Sequence, residues 1–256
     1  MSRALILDCD GVLADTELDG HLVAFNQVFA DAGVGFQWGT DEYGQLLKIG
    51  GGKERLRHYL SQNPDHGLGE GAELDARIAE FHKAKSAAYV DIVEAGKLPG
   101  RPGVRRLIEE ALDAGWQVAV ASTSAVGSVE AVLASVIGPE NRARMAGVFA
   151  GDMVKAKKPA PDIYLMALEA LGVSADEAVV IEDSEAGAKA AENAGLTHVV
   201  TVSHYTTEDP FPAAATVVSY LGEPDQPATT LAGPDLTHDG VINLASLEEA
   251  LAARAV

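Results

Sequence analysis

The sequence predicts an α/β protein: a doubly wound parallel sheet with an all-helical domain inserted after its first strand. Three observations predict it. The run Ala4-Leu5-Ile6-Leu7 is apolar at every position, as in a strand buried on both faces, and it stops at Asp8-Cys9-Asp10-Gly11. Short apolar runs of the same kind recur from residue 118 onward, each followed by a stretch of helical periodicity, which is the alternation of a parallel sheet. Between them, residues 17–93 carry helical spacing and no strand pattern.

In chain order, the strand over 4–7 leads into the inserted domain. There Leu22, Phe25, Val28 and Phe29 form one helical stripe, and Leu46, Leu47, Leu56, Tyr59 and Leu60 belong to further short helices. Ile78, Phe81, Ala84 and Ala88 keep a period of about 3.6. The main domain, residues 1–16 and 94–256, then resumes. Helices are predicted over 101–114, 126–136, 161–171 and 185–193, and strands over 118–121, 148–150, 178–181 and 199–202, with Pro161 suited to a first helical turn. Residues 222–240 contain Pro224, Pro227 and Pro234 and read as an extended surface excursion before a last helix over 244–253. In such a Rossmann-like sheet, ligands bind outside the carboxyl ends of the strands, so the polar residues after each strand carry the interest.

Charge narrows the partners. Lys and Arg number 19 against 38 Asp and Glu, a formal net charge of −19, which repels nucleic-acid backbones and anionic membrane surfaces. A small anionic substrate would need local cations or a metal ion to offset that field. Cys9 is the single cysteine; it can form no intramolecular disulfide and reads as a small buried strand residue in a reducing compartment. No apolar run reaches the roughly 18 residues that a membrane span requires, and no signal peptide precedes the first strand. The expectation is a cytoplasmic monomer.

The strand ends supply one chemistry. A carboxylate at the end of the first strand, Asp8, can attack phosphorus and form an acyl phosphate, and a second acid two positions on, Asp10, can protonate the leaving oxygen and then activate water. Mg2+ requires hard oxygen ligands, and the Asp8 and Asp183 carboxylates with the Asp10 backbone carbonyl would supply them. Lys158 and the Ser122 hydroxyl, with the following Thr123-Ser124 loop, would hold the remaining oxygens of the transferred group.

Asp8-Cys9-Asp10-Gly11-Val12-Leu13, Ser122, Lys158-Pro159-Ala160-Pro161-Asp162 and Glu182-Asp183-Ser184 resemble the four motifs of the haloacid dehalogenase superfamily. The resemblance implies that superfamily's fold, Mg2+ as cofactor and an aspartyl-phosphate mechanism. The acid at Asp10 places the chain with the phosphatase and mutase branch. Within the insertion, Phe25-Asn26, Tyr43-Gly44, Gly51-Gly52-Lys53-Glu54-Arg55, His82-Lys83-Ala84-Lys85 and, later, Gly151-Asp152-Met153-Val154 resemble CbbY-type proteins. That implies a helical cap and hydrolysis of xylulose 1,5-bisphosphate, an inhibitor of Rubisco in carbon fixation, to xylulose 5-phosphate.

A bisphosphate has a second phosphate beyond reach of the metal. Lys53, Arg55, His82, Lys83 and Lys85 provide cations for it, Gly50, Gly51 and Gly52 offer backbone N–H groups at a helix start, and Glu54 lies in the same run. Glu17 and His21 occupy positions that the family resemblance assigns to sugar hydroxyls. Two alternatives stand beside hydrolysis: a phosphosugar mutase of the β-phosphoglucomutase type, with the same four motifs, and a catalytically idle regulatory protein, against which the intact Asp8, Asp10, Lys158 and Asp183 argue.

Overall fold

The computed structural model describes residues 3–49 and 51–254. The chain divides into two compact units, one of residues 1–15 and 98–256, the other of residues 16–97.

The first unit starts with β1 (Ala4–Leu7), every residue of which is buried. The second unit follows. A π-helical stretch, Thr16–Leu22, runs into α1 (Val23–Asp31), then come α2 (Thr40–Leu46), α3 (Gly52–Gln62) and the long α4 (Gly71–Glu94). Its core is aromatic. Phe25, Phe29, Trp38 and Tyr43 sit with ring centroids 4.7–6.4 Å apart, and Phe81 joins Phe29 edge-on. Asn26 fixes the segment before α2: its side-chain amide donates to the Trp38 carbonyl and its oxygen accepts from the Trp38 N–H, both at 2.8 Å.

The chain re-enters the first unit through α5 (Val104–Asp113), β2 (Gln117–Ser122), α6 (Val126–Val136), α7 (Gly138–Arg144) and β3 (Gly147–Ala150). Then come α8 (Asp162–Leu171), β4 (Ala178–Glu182), α9 (Glu185–Asn193), β5 (Thr197–Thr201), β6 (Thr216–Val218), β7 (Thr230–Ala232) and α10 (Leu244–Arg254). The sheet order is β3-β2-β1-β4-β5-β6-β7, parallel throughout except that β7 runs antiparallel to β6. β1 lies between β2 and β4, with Leu7 level with Val120 on one side and Ile181 on the other. The connections diverge at β1, and the crevice at its carboxyl end is where such sheets collect polar groups.

Each continuous apolar run forms a strand because both faces are covered. On one face Ile6, Ala119 and Val180 pack under Ile163, Tyr164, Ala167 and Leu171 of α8 and Ala190 and Ala191 of α9. Small alanines on the sheet and on α9 let the helices lie close. Among the described residues, no helix is long and apolar enough to cross a membrane.

The structure corrects the sequence reading in three places. The 222–240 segment is not only a surface excursion, since Thr230–Ala232 adds an edge strand to the sheet. β6 has just two apolar residues, Val217 and Val218, too few to stand out as a run. β5 begins at Thr197, because polar Thr197 and His198 are buried and paired in the ladder with Val179 and Val180.

Candidate active site

β1 continues its pairing one residue beyond its end, with the Asp8 N–H donating to the Ile181 carbonyl at 3.0 Å. The chain then turns at Gly11, whose φ of +79° is the left-handed conformation that glycine adopts without strain. Gly11 is required for a second reason: a Cβ there would lie 1.9 Å from Oδ2 of Asp183. The first loop therefore approaches the end of β4 as closely as backbone can. Asp10, half-buried, accepts a hydrogen bond from the Ser124 hydroxyl, and the Ser124 N–H donates to Oγ of the buried Ser122 at 3.1 Å. Thr123 between them is exposed.

Lys158 links the ends of β1, β2 and β4. Its ammonium donates to Asp8 Oδ1 at 2.5 Å, Glu182 Oε1 at 2.6 Å and the Ala121 carbonyl at 2.9 Å, and it lies 4.9 Å from the Tyr164 ring centroid. The Tyr164 hydroxyl donates to the same Glu182 oxygen, and the Asp183 N–H donates to Glu182 Oε2 at 3.1 Å. Gly187 makes room for this carboxylate, because a Cβ there would come within 2.0 Å of it.

Two carboxylates on one cation, with Asp183 grouped beside them, leave excess negative charge in a place that water barely reaches. Burial, with the charges of Glu182 and Asp10 added, raises the Asp8 pKa to about 7 against the pull of Lys158. Asp183 is likewise pushed well above the usual carboxylate range by burial and by Glu182 and Asp8; the Ser203 hydroxyl and Arg101 oppose the shift. Burial alone would lower Lys158, but Asp8 and Glu182 outweigh it and hold the ammonium charged. At these separations, two like charges repel by about 4 kcal/mol at an effective dielectric constant of about 20.

A divalent cation fits this donor set. Asp8, Glu182 and Asp183 offer carboxylate oxygens within 4.8 Å of one another, all hard donors of the kind that Mg2+ takes. Glu182 is the most committed of the three, since one oxygen serves Lys158 and Tyr164 and the other the Asp183 N–H. Asp8 and Asp183 are thus the better ligands, and Glu182 works as the brace that holds Lys158. The sequence reading left Glu182 out of the site, although a glutamate closing a wholly apolar strand run was the available signal.

Within the helical unit, the candidates separate into groups. Glu17, Tyr43 and Arg55 form a chain: the Tyr43 hydroxyl donates to Glu17 at 2.6 Å and accepts from Arg55 at 2.8 Å. Arg55 is buried, with its Nε donating to the Leu46 carbonyl, so it is tied within the unit's own packing. Lys85, also buried, is hydrogen-bonded with His21 Nδ1 at 3.0 Å and lies over the Phe25 and Tyr89 rings. A Cβ on Gly52 would lie 2.9 Å from the His82 ring and one on Gly51 2.3 Å from Glu54, so the start of α3 is packed closely around both. Lys53 is exposed beside them, and burial with the nearby Lys85 and Lys53 charges lowers the His82 pKa. Lys83 is exposed and stands apart, because two residues along a helix point to nearly opposite sides. Gly50 lies outside the described residues.

A model of haloacid dehalogenase-like hydrolases matches residues 2–195. The chain belongs to the haloacid dehalogenase-like hydrolase family. Within this hydrolase family it is 45% identical over 234 residues to a CBBY-like protein of Arabidopsis thaliana, covering 91% of this chain and 73% of that protein. It is 42% identical over 226 residues to the plasmid protein CbbY of Cupriavidus necator, covering 88% of each. A crystal structure of a mutant CbbY from Rhodobacter sphaeroides in complex with xylulose-(1,5)bisphosphate superimposes with a TM-score of 0.72 at 40% identity, covering 86% of this chain and 95% of that one. The family match ends before β5, so β5, β6, β7 and α10 extend beyond it.

Proposed function

We propose that the chain is a Mg2+-dependent phosphatase of small sugar phosphates, acting on xylulose 1,5-bisphosphate to give xylulose 5-phosphate. The observation that carries this reading is the buried cluster of Asp8, Lys158, Glu182 and Asp183, with Asp10 beside it. The similarity to CbbY proteins, one of them crystallised with xylulose-(1,5)bisphosphate, supports the choice of substrate.

In this mechanism, Asp8 attacks the phosphoryl group with its carboxylate, and the bond from phosphorus to the sugar oxygen breaks. Asp10, oriented by Ser124, gives a proton to that departing oxygen. The phosphoryl group is then carried on Asp8 as an acyl phosphate. Asp10 next takes a proton from water, which attacks phosphorus and releases inorganic phosphate with Asp8 regenerated. Lys158 neutralises charge on Asp8 and on the transferred oxygens, while Glu182 and Tyr164 fix its position. Asp8 and Asp183, with the Asp10 carbonyl, would hold Mg2+, which supplies positive charge against the phosphoryl oxygens when bound. In a chain of net charge −19, that local positive charge is what admits an anionic substrate. The distal phosphate and the sugar hydroxyls fall to Lys53, His82, Lys85, Glu17 and His21 of the helical unit.

Free phosphate measured with xylulose 1,5-bisphosphate and Mg2+, across a panel of sugar mono- and bisphosphates, tests the proposal. The expected result is release that stops with a chelator and is fastest for the bisphosphate. Conversion of β-glucose 1-phosphate to glucose 6-phosphate without phosphate release would overturn it in favour of a mutase.

A further inference from the structure

We infer that Arg101 is a positioning residue: by clamping the loop after Asp10 to the strand end beside Asp183, it sets how tightly the carboxylate site binds its divalent cation. The inference rests on the Mg2+ reading above and concerns a residue outside the motifs that carry it.

The guanidinium of Arg101 is spent on backbone. One terminal nitrogen donates to the carbonyls of Gly11 and Thr201, the other to those of Val202 and Ser219. These four acceptors come from three separate segments: the loop after β1, the end of β5, and the residue after β6. The backbone of the same region is joined as well, since the Arg101 N–H donates to the Leu13 carbonyl at 2.9 Å and Gly100 pairs with Ala14.

Both ends of this clamp bear on Asp183. Gly11 is the residue whose missing Cβ makes room for the Asp183 carboxylate, and it directly follows Asp10. Val202 directly precedes Ser203, whose hydroxyl draws the Asp183 pKa down against its burial. A shift between the two segments would therefore move Asp183 relative to Asp8 and Asp10. Arg101 suits the task through its planar fork of five donors, which reaches acceptors on two sides at once; a lysine carries one nitrogen and cannot span them. The same positive charge attracts Asp183 and Asp15.

The test compares Arg101→Lys with Arg106→Lys in the full chain. Arg106 is a fair control because it also holds backbone carbonyls, those of Leu221, Gly222 and Ile242, none of them in the loop after β1 or at the end of β5. Mg2+ alone is titrated by calorimetry, and amide exchange is followed over residues 9–14 and 201–203. Arg101→Lys is expected to weaken Mg2+ binding by about tenfold or more, the usual cost of losing a group that orients a metal ligand. It should speed exchange in both segments together and lower kcat more than it raises KM. Arg106→Lys is expected to leave Mg2+ affinity as in the wild type. Equal Mg2+ affinity in wild type and Arg101→Lys, or an equal loss in Arg106→Lys, would overturn the inference. Should the Lys variant not fold, Arg101→Gln is read by the same criteria. The calorimetric and exchange readouts need no substrate, so a wild type that binds Mg2+ yet releases no phosphate would defeat the proposed function separately.

Discussion

The two units place charge in opposite ways. In the α/β unit, Asp8, Lys158 and Glu182 converge from segments up to 174 residues apart and share one another's charge, because sheet register brings the ends of β1, β2 and β4 to one level. In the helical unit each buried cation has separate partners within that unit, Arg55 with Tyr43 and Glu17, Lys85 with His21 and two aromatic rings. The first arrangement is a strained excess of negative charge that calls for a cation. The second gathers no comparable cluster of carboxylates: Arg55 faces Glu17, and Lys85 lies over aromatic rings. Chemistry is concentrated where charges are shared, and shape is held where they are paired off.

The largest effect should come from breaking the shared centre. Lys158→Met leaves Asp8 and Glu182 buried without their cation, and removing one partner of a buried ion pair costs about 3–5 kcal/mol. Phosphate release should fall by about 10²- to 10³-fold as well, as when a preorganised charge stabiliser is lost. Urea unfolding and initial rates measure both. A stable and active variant would mean that the centre is not shared.

The paired arrangement should respond more mildly. Tyr43→Phe removes the hydroxyl between Glu17 and Arg55, and leaving that buried guanidinium one acceptor short should cost about 1–3 kcal/mol in urea unfolding. Asn26→Ala should cost about 1–2 kcal/mol through the lost contacts to Trp38, one of which leaves a backbone N–H without its acceptor. A loss as large as that in Lys158→Met in either variant would erase the contrast between the units.

The smallest effect is one of pH. The folded-state pKa of His82 is depressed below its unfolded value of about 6.5, so the unfolded chain binds the proton more readily. Its contribution to stability is present above pH about 6.5 and is lost as pH falls through the folded pKa. An NMR titration of the His82 ring should give a midpoint below that of an unfolded peptide; a higher midpoint would mean that acidic neighbours, not burial with the charges of Lys85 and Lys53, govern the ring.

The same contrast explains what could be read from the sequence. Apolar runs of three or four residues announced β1, β2, β3 and β4, and a run's end announces a polar residue at the crevice, which is how Asp8, Asp10, Ser122 and Asp183 could be located. β6 and β7 have three residues each and take their place from neighbours, so no local pattern marks them. Glu182 is legible only within the motif that carries Asp183, because its own role lies in contacts with Lys158 and Tyr164 in another segment, 24 and 18 residues back. Arg101 carries no motif at all; its meaning is four carbonyls in folded space. In the helices, grouping His82, Lys83 and Lys85 by adjacency overlooked the helical period, which separates Lys83 from Lys85.

The central claim is that Asp8 carries the phosphoryl group. Asp10 serves both steps, giving a proton to the leaving oxygen and then taking one from water, so the acyl phosphate is to be caught in the wild-type enzyme during its first turnovers. Acid-quenching the wild-type enzyme within the first turnovers with Mg2+ and xylulose 1,5-bisphosphate, then mapping its peptides by mass spectrometry, should find one phosphoryl group on the peptide containing Asp8 and none when Asp8 is changed to Asn. A phosphoryl group on another peptide, or wild-type phosphate release from Asp8→Asn, would contradict the account.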